Sequence, residues 1–188
     1  MSERYCANIN STDIGADLPH CSRYLLARGF VRQGETVVDA ACSCGYGSRL
    51  LAEVAGKVIS IDKDDVYDNN YRLDKMSFIQ AHLEKLEEYP KCDTWVSIET
   101  IEHLADPQKY LDKVTKATSR CIVMSSPNKE TKAVHEFHLS DVLLVNFIKM
   151  MEKYPDWFHY QTFIQGYTWI SVYVKKDNKW LDKIYVNE

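Results

Sequence analysis

One continuous segment, residues 35–62, constrains the fold more than any other part of this chain. Its β-branched run at residues 36–38 predicts a buried strand, and residues 58–61 predict a second one. A loop of small residues follows the first strand, and residues 48–54 then carry apolar side chains at helical spacing. Gly56 is expected to end that helix. Strand, tight loop, helix and strand in this order predict one half of a doubly wound sheet, with a ligand at the carboxyl ends of the strands.

The loop between the first strand and the helix lacks one feature of a dinucleotide site. A pyrophosphate-binding fingerprint needs a third glycine three residues after the second, and Leu50 occupies that position. Asp62, at the end of the second strand, can accept hydrogen bonds from both hydroxyls of a ribose. Asp39, at the end of the first strand, can hold a positively charged amino group. These two acceptors without a phosphate cradle predict an adenosyl amino acid rather than a dinucleotide.

The same segment resembles the first motifs of the class I S-adenosylmethionine-dependent methyltransferases, in the stretches VVDAACSCGYGSRLLA and ISIDKD. Further matching motifs follow in the family's order, namely HCSRY, SIETIEHL, SSPN and EFH. The resemblance spans residues 19–175. It implies an α/β fold with a Rossmann-like sheet of seven strands, mostly parallel with a C-terminal antiparallel hairpin, and helices on both faces. It also implies that the chain is an enzyme, a methyltransferase, with S-adenosylmethionine as its cofactor.

The resemblance further implies which residues bind the cofactor. They lie on the helix before the first strand, in the loop, and at the ends of the second to fourth strands: Tyr24, Asp39, Ala41, Cys42, Gly45, Gly47, Asp62, Lys63, His82, Leu83 and Glu99. Two positions depart from the family pattern. Ser43 replaces the first loop glycine and would be strained at a positive φ. His82 replaces the aspartate that most often contacts the adenine amino group, and a neutral imidazole accepts a hydrogen bond from that amine in only one tautomer.

A group of ionisable side chains follows the fourth predicted strand. Glu99, Glu102 and His103 are spaced three and four residues apart, which places them on one face of a helical turn. Methyl transfer from a sulfonium needs mainly alignment of donor and acceptor, and an oxygen acceptor also needs a base. The catalytic candidates are therefore His103 and Glu102 from this group, together with His138, the histidine of the EFH motif.

A second interpretation of the same residues is a divalent metal site formed by Glu99, Glu102, His103 and His138. That set resembles the metal ligands of the small-RNA 3′-end 2′-O-methyltransferases. The EHL motif also occurs in methyltransferases without a metal, so the favoured interpretation has no metal. The alternative function is accordingly a metal-dependent RNA ribose 2′-O-methyltransferase.

Composition limits the partners. A length of 188 residues with 45% hydrophobic residues predicts one soluble globular domain, residues 19–188, preceded by a flexible N-terminal arm, residues 1–18. A net charge of −4 argues against nucleic acid as the partner, because nucleic-acid-binding domains are usually basic. No apolar run is long enough for a membrane span or a signal peptide, so we expect a cytoplasmic protein without a membrane partner. Without an added substrate domain, the expected acceptor is a small molecule or a sugar.

Two further expectations concern the departures and the cysteines. Because Ser43 and His82 depart from the family pattern, a methyltransferase-fold subunit that binds the cofactor weakly and acts in regulation remains the rival to an enzyme. Six cysteines without a secretory signal predict no disulfide framework, and Cys42 and Cys44 are interpreted as small loop residues.

The remaining elements follow from hydrophobic periodicity and turn residues. Helices are predicted at residues 19–30, from Asp106 to residue 117, and at residues 140–154. Strands are predicted at residues 76–80, 92–98, 120–125, 158–164 and 167–175.

Overall fold

The computed structural model describes residues 18–176. The predicted arm therefore lies outside the described residues, except that Leu18 begins the first helix. The elements in chain order are α1 (Leu18–Arg28), β1 (Thr36–Ala40), α2 (Tyr46–Ala52), β2 (Lys57–Asp62), β3 (Met76–Gln80), β4 (Cys92–Ser97), α3 (Pro107–Ala117), β5 (Thr118–Pro127), α4 (Leu144–Met151), β6 (Trp157–Gln165) and β7 (Thr168–Lys175). Short 3₁₀ helices lie at Asn69–Tyr71, Leu83–Lys85 and Ile101–His103.

All seven strands form one sheet in the order β3-β2-β1-β4-β5-β7-β6. The first five strands pair in parallel, and β7 runs antiparallel to both of its neighbours, β5 and β6. This arrangement confirms the predicted sheet with its C-terminal antiparallel pair. Strand order reverses between β1 and β4, and a crevice opens at the carboxyl ends of the strands at such a point.

Two hydrophobic cores lie on opposite faces of the sheet because successive strand residues point in opposite directions. On one face, Val37 packs with side chains of α1 and α2. On the other face, Val38 packs with Leu111 of α3 and Phe147 of α4. The predicted placement of helices on both faces is therefore confirmed, and the sheet is a rigid frame for the residues at its carboxyl edge.

The start of α4 differs from the prediction, which placed it at residue 140. The Asp141 side chain accepts hydrogen bonds from the backbone N–H groups of Thr131 and Lys132, at 2.6 and 2.9 Å, and does not cap a helix. The N–H of Ser140 donates to the carbonyl of Glu102 at 3.1 Å. These long-range bonds hold the preceding segment in a loop, and the helix begins four residues later.

Gly56 also has a different role from the one predicted. The helix α2 ends at Ala52, and Gly56 is not among the glycines with a positive φ. A Cβ atom at Gly56 would lie 2.6 Å from the carbonyl oxygen of Gly34. The glycine is therefore required by the close approach of two backbone segments and not by the end of a helix.

The expectation that the cysteines form no disulfide framework does not hold at Cys44. Cys21, Cys42, Cys92 and Cys121 are free thiols, but Cys44 is disulfide-bonded. Burial raises the pKa of the Cys42 thiol far above its usual range, so Cys42 is an inert neutral group in the loop.

Candidate active site

A cavity of about 610 Å³ opens at the carboxyl ends of the parallel strands, within the range of small-molecule sites. Its wall includes most of the predicted cofactor residues, namely Tyr24, Ala41, Cys42, Asp62, Lys63, His82, Leu83 and Glu99. The three catalytic candidates, Glu102, His103 and His138, line the same cavity. Asp39, Gly45 and Gly47 are not part of its wall.

The wall at the end of β1 is formed by a tight turn with left-handed residues. Ala41 and Ser43 have φ angles of 59° and 50°. Ser43 thus has the positive φ that the sequence flagged as strained for a serine. This turn aims the backbone N–H of Ser43 at Asp62, whose Oδ2 accepts a hydrogen bond of 2.8 Å. The turn therefore connects the ends of β1 and β2.

Gly45 and Gly47 lie behind this wall, where two tyrosine rings pack against their backbones. A Cβ atom at Gly45 would lie 2.5 Å from the Tyr67 ring, and one at Gly47 would collide with the Tyr24 ring. Both glycines are therefore needed to seat aromatic rings. Because Tyr24 itself lines the cavity, Gly47 acts on the cavity wall through that ring.

Asp39 is fully buried beneath the loop. Its carboxylate accepts a hydrogen bond of 2.6 Å from the Ser48 hydroxyl and one of 3.1 Å from the Tyr24 hydroxyl. The pKa of Asp39 is raised to about 7, mainly by burial; the hydrogen bonds from Ser48 and Tyr24 lower it, and the charge of Asp62 makes a smaller contribution to the rise. Asp39 therefore does not line the cavity itself. It holds the hydroxyl of Tyr24, a residue that does line the cavity.

Asp62 and His82 stand at the ends of neighbouring strands. Each carboxylate oxygen of Asp62 accepts one backbone N–H, from Ser43 and, at 3.0 Å, from Asp64. A carboxylate oxygen can accept a second donor, such as a ribose hydroxyl. The backbone N–H of Glu84 donates to Nδ1 of His82 at 3.3 Å. This bond assigns the proton of a neutral His82 to Nε2, which makes that nitrogen a donor. His82 thus fits a ring nitrogen of adenine, and not the adenine amino group.

The catalytic candidates meet through two segments distant in sequence. Glu102 and His103 belong to the 3₁₀ helix after β4, and His138 lies in the loop between β5 and α4. The backbone N–H groups of Leu139 and Ser140 both donate to the carbonyl of Glu102, at 2.8 and 3.1 Å. This tether places the rings of His103 and His138 at 4.8 Å between centroids, nearly perpendicular at 87°.

Hydrogen bonds fix the orientation of both imidazoles. Nδ1 of His103 lies 3.0 Å from the carbonyl oxygen of Phe137 and therefore donates to it, which leaves the lone pair on Nε2. Nδ1 of His138 lies 2.6 Å from the Thr131 hydroxyl. One potential ligand atom from each of Glu102, His103 and His138 lies within 4.8 Å of the others.

Glu99 is separated from this group. It adopts a φ of 49°, and its carboxylate accepts a hydrogen bond of 3.0 Å from the Ser125 hydroxyl. Its other oxygen lies 3.6 Å from Nη1 of Arg23, a side chain that is itself buried. The single helical turn predicted for Glu99, Glu102 and His103 is wrong at Glu99, because the 3₁₀ helix begins only at Ile101 and Glu99 has a left-handed φ.

Two contacts of the site were not predicted from the sequence. Thr131 holds His138, and Arg23 donates from Nε to Gln165 at 2.8 Å across 142 positions of sequence. Neither partnership produces a periodic or motif signal. Only the fold brings these residues together.

Comparisons with known proteins agree with this geometry. A family model described as a methyltransferase domain matches residues 38–120. A probable S-adenosylmethionine-dependent methyltransferase of Mycobacterium tuberculosis is 32% identical over 100 residues, which cover 50% of this chain. A counterpart from Mycolicibacterium smegmatis is 25% identical over 131 residues, or 63% of this chain. Over these segments the chain resembles S-adenosylmethionine-dependent methyltransferases.

Solved structures share the fold of this chain. The N-methyltransferase NodS from Bradyrhizobium japonicum, in complex with S-adenosylhomocysteine, superposes with a TM-score of 0.72 at 11% identity, covering 92% of this chain and 94% of that one. Magnesium protoporphyrin IX methyltransferase from Synechocystis, with the same bound product, gives 0.66 at 16% identity, covering 92% and 90%. S-adenosylmethionine is the cofactor that these comparisons support.

This chain spans only part of the length of the curated relatives that it matches. It covers 36% of the Mycobacterium tuberculosis protein and 51% of the Mycolicibacterium smegmatis protein. Among the helices of residues 18–176, none has the length and apolar character required to cross a membrane.

Proposed function

We propose that this chain transfers a methyl group from S-adenosylmethionine to an oxygen or nitrogen atom of a small-molecule or sugar acceptor. One observation carries the proposal: a single cavity is lined by Asp62 at the end of β2 and His82 after β3, and by Glu102, His103 and His138, which follow β4 and β5. The first pair suits a nucleoside, and the second group suits a nucleophile that must lose a proton.

The roles of the cofactor residues follow from their contacts. Asp62 would accept hydrogen bonds from the ribose hydroxyls, since both of its oxygens are held in place by backbone N–H groups. Nε2 of His82 would donate to a ring nitrogen of adenine. Tyr24 and Glu99 would line the methionine part, and Asp39 would compensate the positive charge of the amino group through the Tyr24 contact.

The transfer itself is an in-line displacement. The S–CH₃ bond breaks as the acceptor atom forms its bond to the methyl carbon, and the electron pair of the broken bond remains on sulfur. Alignment is the main contribution of the protein. His103 would accept the acceptor's proton at Nε2, because its Nδ1 is occupied by the Phe137 carbonyl. His138 and Glu102 would position that acceptor.

The size and charge of the site favour a compact acceptor. The cavity of about 610 Å³ must hold the cofactor as well as the acceptor. A net charge of −4 does not favour binding along a phosphate backbone, so the RNA ribose 2′-O-methyltransferase alternative is less well supported.

The cofactor step is tested by isothermal titration calorimetry with S-adenosylmethionine and S-adenosylhomocysteine. We expect micromolar binding by the native chain, loss of binding in Asp62→Ala, and unchanged binding in Asp65→Ala, a matched change at an exposed carboxylate. Absence of binding by the native chain would overturn the proposal and support the regulatory-subunit alternative. Formation of S-adenosylhomocysteine with panels of alcohols, amines and sugars then identifies the acceptor.

A further inference from the structure

We propose that Glu102, His103 and His138 bind a divalent transition-metal ion, at the part of the cavity that receives the acceptor. Ion binding needs only these three residues. The role of the ion in methyl transfer rests on the function proposed above.

The ligand set is the first argument. Two imidazoles and one carboxylate are a common combination for Zn²⁺, Co²⁺, Mn²⁺ and Fe²⁺, and a poor one for Mg²⁺ or Ca²⁺, which prefer oxygen ligands. Their ligand atoms lie within 4.8 Å of one another. With metal–ligand bonds of about 2.0–2.2 Å, a contraction of about 1 Å would close the site.

Burial is the second argument. Glu102 is only 1% exposed and His138 is 8% exposed, whereas an ordinary surface cluster of acidic residues is solvated. A buried carboxylate needs a compensating positive charge or a dense set of donors. A divalent ion shared with two imidazoles supplies that charge. The three residues come from two segments that the Leu139 and Ser140 tethers hold together, so the geometry does not depend on the ion.

The surrounding hydrogen bonds are the third argument. Metal-binding histidines use their second ring nitrogen to bond a carbonyl, carboxylate or hydroxyl, which fixes the ring and the tautomer. His103 does this with the Phe137 carbonyl, and His138 does it with the Thr131 hydroxyl. In both rings Nδ1 is used in this way, which directs Nε2 toward a shared ion.

The site differs from the four-ligand set considered from the sequence. Glu99 is held by Ser125 and Arg23, so the protein offers three ligands. Three protein ligands leave coordination positions for a molecule in the cavity. An acceptor hydroxyl bound there would lose its proton more readily, because the ion lowers the pKa of a coordinated oxygen. With the ion bound, Nε2 of His103 would be a ligand, so this proton would pass to water in the cavity; His103 would accept it directly only in the metal-free form. The ligand class that we infer for this position is therefore an alcohol.

The test is calorimetric titration and equilibrium dialysis of metal-stripped, tag-free protein with Zn²⁺, Co²⁺ and Mn²⁺. We expect one ion per chain and a visible absorption band for the Co²⁺ form. His138→Asn and Glu102→Gln should remove both signals, and His159→Ala, a matched change at an exposed histidine on β6, should leave both unchanged.

Thr131→Val gives an independent arm that keeps all three ligands. It removes the hydroxyl that holds His138 while conserving shape, and we expect metal affinity to fall about 10- to 100-fold. Titration with S-adenosylhomocysteine checks that each variant retains its fold.

Absence of saturable binding of all three ions by the native chain would overturn the metal site, as would an unchanged ion affinity in His138→Asn. Either result would mean that Glu102, His103 and His138 act without a metal ion. Methyl transfer that persists in the presence of a chelator would then support the proposed function without the metal site. Ion binding without transfer to any acceptor would retain the site and reject its role.

Discussion

The backbone N–H of Ser43 donates a hydrogen bond of 2.8 Å to Oδ2 of Asp62, and Ser43 makes this bond in a left-handed conformation with a φ of 50°. The strain at Ser43 and the orientation of Asp62 are therefore parts of one arrangement. Asp62 is held in position before a ligand enters the cavity.

Replacing Ser43 with glycine should stabilise the protein. A left-handed φ costs a non-glycine residue about 1–2 kcal/mol, and a glycine avoids this cost. The glycine also gives the unfolded chain more conformational entropy, which offsets about 0.4–1 kcal/mol of the gain. The Ser43 hydroxyl is also buried without a hydrogen-bond partner among the described residues. We expect a net gain of about 1 kcal/mol in urea unfolding for Ser43→Gly. Ser43→Ala, which removes the hydroxyl but keeps the strain, should be less stable than the glycine variant; equal stability of the two would disprove the strain.

Asp39 should give the stability of the protein a distinct pH dependence. Its folded-state pKa is raised from 3.8 to about 7, so the folded chain holds this proton more tightly than the unfolded chain does. The resulting stabilisation is complete below pH 3.8 and is lost as the pH rises through 7. Three pKa units correspond to about 4 kcal/mol.

The measurement for Asp39 is the free energy of unfolding of the native chain and of Asp39→Asn between pH 4 and pH 8. The variant lacks the titration, so its stability relative to the native chain should rise with pH by a few kcal/mol, on the order of 4. Asp65→Asn serves as the exposed control. A constant difference between native chain and Asp39→Asn across this range would show that Asp39 is ionised throughout.

His82→Asp should strengthen binding of S-adenosylhomocysteine. A carboxylate can accept a hydrogen bond from the adenine amino group, whereas Nε2 of His82 is a donor. A hydrogen bond to a charged group contributes about 1.5–3 kcal/mol, so we expect affinity to improve about tenfold or more. His82→Ala should bind no better than the native chain. An aspartate variant that binds more weakly would place adenine elsewhere in the cavity.

His103→Ala should reduce turnover about 10²- to 10⁴-fold, the usual contribution of a positioned proton acceptor. The affinity for S-adenosylhomocysteine should remain that of the native chain, because His103 is assigned to the acceptor and not to the cofactor. The measurements are product formation at saturating cofactor and calorimetric titration of the same variant. His159→Ala is the control. Loss of cofactor binding together with turnover would instead indicate a structural role.

Most strands and helices could be predicted because their positions depend on hydrophobic spacing and capping residues within a short stretch of sequence. Strand β3 has the predicted bounds, and Asp106 caps α3, as its position before Pro107 indicated. The predicted start of α4 was wrong because the Asp141 carboxylate accepts hydrogen bonds from backbone N–H groups ten and nine residues earlier in the chain. A sequence pattern cannot reveal such a competing use of a capping residue.

The site was predictable in its residue types more than in its geometry. The motifs indicated Asp62, His103 and His138, but not that Thr131 holds His138 or that Arg23 engages Glu99. The left-handed φ of Ser43 and the tautomer of His82 depend on neighbouring backbone atoms. These features are set by the three-dimensional arrangement, which residue spacing does not encode.

The two shortest bonds from the β5–α4 loop to the Glu102 carbonyl come from backbone N–H groups, those of Leu139 and Ser140, and the Ser140 hydroxyl adds a longer one of 3.5 Å. Side chains of this loop that make no bond to residues 101–102 can therefore be exchanged without removing the two backbone bonds. Val134, at 84% exposure, is such a side chain and lines the cavity. Homologous chains could acquire new acceptors by replacing such rim side chains, while the position of His138 stays constant. The side chains that select the acceptor can therefore change during evolution without moving the residues proposed to act on it.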